Sequence, residues 1–146
     1  MPRRRFQVGL MTAAAVWLGC ASATPATRAP DALYFAVEVQ QGGRTVAAPR
    51  LLGFEGRSVV VERRGTRAAA PDYRLTLRPR SEGAGYRVLL DLDLPSGRRV
   101  QRLGLLHGEE QRVALDDDIE LKVLLMRVDS PEFRALIQRA PSPLSI

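Results

Sequence analysis

The chain has 146 residues, one cysteine, one histidine and a formal net charge of +6, and 45% of its residues are hydrophobic. That composition excludes disorder, a disulfide framework and a zinc site built from histidine and cysteine. Arg3, Arg4 and Arg5 supply three of the positive charges, so a chain that loses its first residues keeps about +3, too little to indicate a nucleic-acid binder. The basic residues alternate with carboxylates and are nearly all arginine, with Lys122 the single lysine, and no aromatic-basic array offers bases a stacking platform. No nucleic-acid partner is expected.

The N-terminus reads as an export signal. Arg3 to Arg5 precede an uncharged run from Phe6 to Gly19, shorter than the roughly 20 residues a membrane span needs. Residues 1–23 are therefore a signal peptide with two possible processing points. Small residues at Ala21 and Ala23 suit cleavage after Ala23, before Thr24. Val16-Trp17-Leu18-Gly19-Cys20 resembles a bacterial lipobox, which implies cleavage before Cys20 and lipidation of that thiol. The lipid reading is favoured because Gly19-Cys20 ends the apolar run and the thiol has no disulfide partner. Under that resemblance Ala21 after the cysteine implies the outer membrane. Residues 24–31, TPATRAPD, are a flexible tether, and the expected localisation is the periplasm or the outer membrane of a bacterium.

From residue 32 the pattern is that of strands. Leu33, Phe35, Val37 and Val39 alternate with more polar neighbours, and Gln41-Gly42-Gly43-Arg44 marks a hairpin. A return strand runs through Val46 and Leu51, with Pro49 indicating an edge or a bulge. Glu55-Gly56 turns the chain into a strand holding Val59 and Val61. After the loop 65–72 come Tyr73, Leu75 and Leu77, stopped by Pro79. Tyr86, Val88, Leu90, Leu92 and Leu94 form the strongest alternation, and Pro95-Ser96-Gly97 turns it into RRVQRLGLL. His107-Gly108-Glu109-Glu110 turns into QRVAL, and Asp116-Asp117-Asp118 leads to IELKVLLMRV.

About eight strands at short spacing, without crossover helices, predict a mainly β fold, an antiparallel β-sandwich or small barrel over residues 32–140. The period then changes. Asp129 or Ser130 can cap a helix over about 131–140 with Pro131 at its first position and Phe133, Leu136 and Ile137 on one face, before a tail at 141–146.

Chemistry-bearing groups are sparse. His107 sits in a turn and reads as solvent-facing. Asp91 and Asp93 project from one strand face and are expected to pair with Arg98, Arg99 or Arg102. Asp116 to Asp118 are oxygen-rich but lack the Asp-x-Asp-x-Asp-Gly spacing of a calcium loop. No nucleophile elbow, zincin or phosphate-loop sequence occurs. No catalytic, cofactor-binding or metal residue is assigned, no cofactor is expected, and Cys20 is the one modification site.

VAAPRLLGFEGRSVVVE and DYRLTLRPRSEGAGYRVLLDLDL, within residues 46–94, are similar to part of the β domain of bacterial secretins. The resemblance implies a stack of antiparallel hairpins in the cell envelope. It lacks that family's glycine-rich pore segments and ring-building domains, so no pore is implied. The expected function is that of a non-enzymatic envelope protein that binds another envelope or secretion-system protein, through the edge near Val46 to Leu51 and the terminal helix. The alternative is an exported ligand- or calcium-binding module that uses the Asp116 to Asp118 turn.

Overall fold

The computed structural model describes residues 27–65 and 71–139. Among these residues nine strands, β1 (Ala32–Gln41), β2 (Arg44–Ala47), β3 (Arg50–Phe54), β4 (Val59–Arg63), β5 (Tyr73–Glu82), β6 (Gly85–Leu94), β7 (Gly97–Leu105), β8 (Glu110–Ala114) and β9 (Ile119–Arg127), precede one helix, α1 (Pro131–Arg139). They form two antiparallel sheets packed as a sandwich, with no closed barrel. The four-stranded sheet is the meander β4-β5-β6-β7. In the five-stranded sheet β1 lies beside β9, which carries β8 on its far side, while β2 and β3 share the other edge of β1.

The alternating residues fill the space between the sheets. Phe35, Val37, Leu121 and Leu125 from one sheet meet Leu77, Leu90 and Leu92 from the other, all fully buried. Tight turns fix which residues face inward. Gly42 and Gly43, with φ of 56° and 75°, close the β1–β2 hairpin in a two-residue turn that side-chain-bearing residues adopt only at a cost. A one-residue slip at any such turn would send a whole hydrophobic set to solvent.

The ninth strand comes from the expected return strand, which is broken in two. Pro49 cannot donate to the ladder, and its carbonyl instead accepts the Val37 N–H at 3.0 Å between β2 and β3. Two turns also differ from simple hairpins. Glu55-Gly56 carries the chain from the five-stranded to the four-stranded sheet, and His107-Gly108 carries it back, so β7 and β8 are not paired. Residues 46–94, expected to form one stack of hairpins, are thereby divided between both sheets.

The helix cap is Ser130. Its Oγ accepts the Phe133 N–H at 3.2 Å and donates to the Arg127 carbonyl at 2.6 Å. Phe133 is buried, Leu136 is half-buried, and Ile137, expected on the same buried face, is 56% exposed because the last turn extends past its cover.

Candidate binding face

The outer face of the five-stranded sheet brings the two surfaces expected from sequence next to each other. Tyr34 on β1 stands in register with Leu52 on β3 and Met126 on β9, all pointing away from the core. The Phe133 ring of α1 covers Tyr34 with centroids 5.2 Å apart and planes tilted by 48°, an arrangement aromatic pairs favour. Beyond this shielded pair the apolar surface continues uncovered. Leu52 is 66% exposed, Phe54 on the same strand is 49% exposed, and Ile137 stands one helical turn past Phe133. Single exposed apolar residues need no explanation, whereas several around an aromatic pair mark a surface suited to a partner. Val46 to Leu51, the stretch expected to bind, points Ala47 and Leu51 inward, and the apolar exposure lies just beyond it at Leu52 and Phe54.

The acidic candidates are engaged in the fold. Asp91 accepts two hydrogen bonds from Arg98 at 2.6 and 2.8 Å, which holds its carboxyl below the usual carboxylate range. Asp93 lies directly opposite Arg98 in the ladder yet forms no ion pair among the described residues. Arg99 turns inward and reaches across the open side of the sandwich to Asp116 instead. Asp116 Oδ1 meanwhile accepts the Asp118 and Ile119 N–H groups at 2.9 and 2.8 Å. Asp118 takes the Gln41 amide at 3.0 Å. Asp116 and Asp118 thus brace the turn, with carboxylate oxygens turned to protein donors. No group of three metal-ligating side chains gathers among the described residues.

His107 is not the solvent-facing turn residue expected. Its side chain is 22% exposed and ties three elements together. Nδ1 accepts the Arg127 N–H at 3.0 Å, so the proton of the neutral ring resides on Nε2, which faces the Glu132 carboxylate at 3.2 Å. The ring clamps the β7–β8 crossover to the end of β9 and the start of α1. Cys20 lies outside the described residues.

One polar cluster has no sequence signal. The Tyr86 hydroxyl donates to Asp31 at 2.5 Å across 55 positions of sequence, and Arg28 donates to both Asp31 oxygens at 2.7 and 2.8 Å. Glu55 accepts the Ser81 N–H at 3.0 Å beside them. Arg28 to Asp31, assigned to the tether, are therefore held against the domain. The Tyr86 hydrogen bond, then Arg28, holds the Asp31 carboxyl below its ordinary range, while burial and then Asp31 push the Tyr86 phenol well above its own.

These shifts fix a pH dependence. Asp31, with its pKa lowered in the fold, contributes stability above the free carboxylate range near ~4 and loses it as pH falls through the lower folded value. Asp91 and Asp116 act in the same direction. Tyr86, with its pKa raised, contributes fully below the free phenol value of ~10 and loses that contribution as pH rises beyond it. Thermal melts should be level between about pH 5 and 9 and decline on both sides. Asp31→Asn should flatten the acid decline and Tyr86→Phe the alkaline one; unchanged limbs in both variants would contradict the assignment.

No family model, curated protein or solved structure matches the chain.

Proposed function

We propose that the protein is a non-enzymatic cell-envelope β-sandwich that binds another envelope protein, of the secretion or pilus-system kind, through the outer face of its five-stranded sheet. The observation that carries this is the exposed apolar set Leu52, Phe54 and Ile137 flanking the Tyr34–Phe133 pair. The N-terminal pattern supports an envelope location, with Cys20 as the lipid-bearing residue and the membrane as its anchor. The resemblance of residues 46–94 to secretin hairpins supports a partner in the same compartment. Catalysis finds little support, since His107, Asp91, Asp116 and Asp118 are committed to bracing turns and strands. A partner that seats on Leu52 and Phe54 would bury apolar area at roughly 25 cal/mol per Å², with the aromatic groups as anchors.

A photo-crosslinking residue placed at Leu52, with a second placed at Val100 on the opposite sheet, tests this in intact cells. Both positions are more than half exposed. The expected result is a discrete adduct with one envelope protein from position 52 only. That adduct should disappear when Phe54→Asp is added, while the melting temperature changes by no more than a surface substitution warrants. Identical faint ladders from both positions would contradict the proposal.

A further inference from the structure

The outer face of the four-stranded sheet gathers arginines at one end. Arg80 on β5 lies directly opposite Arg87 on β6, and the neighbouring row holds Arg78, Leu89 and Arg102 across β5, β6 and β7. Arg57, in the turn before β4, adjoins them, because Ser58 accepts a hydrogen bond from Arg78 at 2.9 Å and the Gly56 N–H binds the Pro79 carbonyl at 2.8 Å. Glu82 pairs with Arg87. Among the described residues Arg57, Arg78, Arg80 and Arg102 form no ion pair.

Like charges directly opposite on adjacent strands destabilise a sheet. Glu82 answers Arg87, which leaves Arg80 with the Arg57, Arg78 and Arg102 guanidinium groups as a cluster suited to an anionic counterpart. Guanidinium groups on a flat sheet match phosphate, which they bind in bidentate fashion with less desolvation cost than an ammonium.

The position of the face says where the phosphate comes from. The N-terminal segment joins the domain at this same end, where Arg28 and Pro30 line a cleft with Glu55, Gly56 and Ser81. Six residues lie between Cys20 and Thr27, a reach of roughly 25 Å over seven steps at full extension. Resting on the lipid anchor proposed above, this geometry points to the arginine face as a contact for a phosphate-bearing anionic lipid surface. The apolar face of the other sheet is then left turned away for the protein partner. Such a contact adds the second signal that a lipid anchor needs for stable attachment.

The full chain carrying Cys20→Ser has no acylation site, so its vesicle binding owes nothing to a lipid anchor. It is mixed with vesicles of phosphatidylethanolamine and phosphatidylglycerol, and with vesicles of phosphatidylcholine alone. Binding is expected only to the first and should weaken with salt. Arg80→Glu with Arg87→Glu should reduce it at least about tenfold. The charge-matched pair Arg44→Glu with Arg112→Glu, on the other sheet, should change it less than about threefold. Whatever the leader contributes is common to all three proteins. The single variant Arg80→Glu should melt no lower than the parent, since it converts a repulsive pair into an attractive one, yet should itself weaken vesicle binding, and this separates lost binding from lost folding. Equal losses from the two double variants, or no preference for the anionic vesicles, would overturn the inference. An unacylated Cys20 together with Arg80-dependent vesicle binding would remove the anchor and leave the face standing. An acylated Cys20 without such binding would do the reverse.

Discussion

Phe35→Ala should lower the stability of the domain by about 3–5 kcal/mol. Phe35 is the largest fully buried side chain, and it sits on β1 between β3 and β9, in register with Leu51 and Leu125. Truncation removes the apolar area of the ring and leaves a cavity that two sheets, each held by its ladder, cannot close. A single domain of this size has a total stability of only about 5–15 kcal/mol, so the loss is a large fraction of it and should lower the melting temperature by roughly 10–20 °C. Leu52→Ala, one strand position from the inward-facing Leu51 yet 66% exposed, should stay within about 0.5 kcal/mol. Paired thermal melts decide the matter. Equal losses at the two positions would mean that the inward and outward faces of this sheet are not as described.

Gly85→Ala should cost about 2–3 kcal/mol, for reasons of space and not of backbone conformation. A Cβ at Gly85 would lie 2.5 Å from the Leu105 carbonyl oxygen and 2.9 Å from Leu106 Cδ2. The leucine side chain can move, but the carbonyl belongs to β7, where Leu105 is the register partner of Tyr86. Relief therefore requires that β7 draw away from β6 beside the hydroxyl that holds Asp31. Gly104→Ala is the control, because its Cβ would meet nothing within 4 Å. That substitution should be neutral or stabilise by up to about 1 kcal/mol through the unfolded chain. A reversed order in denaturant unfolding would contradict the described approach of the two strands.

The alternations at Leu33 to Val39, Tyr73 to Leu77 and Tyr86 to Leu94 were readable because a half-buried antiparallel strand imprints a period of two on its own residues, and every apolar residue named there is buried. What escaped is information that no single segment carries. Glu55-Gly56 and His107-Gly108 use the same turn chemistry as a hairpin, with positive φ at each glycine, and only the position of the other sheet makes them crossovers. His107 gains its role from Arg127 and Glu132, and Asp31 from Tyr86, all partners distant in sequence. Arg99 was readable as a mate for Asp91 or Asp93, yet the inward orientation of its position sends it to Asp116. The apolar outer face was legible in pieces. An edge strand and a helix were named, but their convergence on Tyr34 depends on how α1 folds back over the sheet.

Intact mass of the protein recovered from the cell envelope is the most direct test, since the proposed lipid anchor and the proposed partner's compartment both depend on where the chain begins and what it carries. The expected polypeptide starts at Cys20 and bears acyl chains on that residue. A full-length polypeptide starting at Met1 and recovered from the cytosol would contradict that expectation.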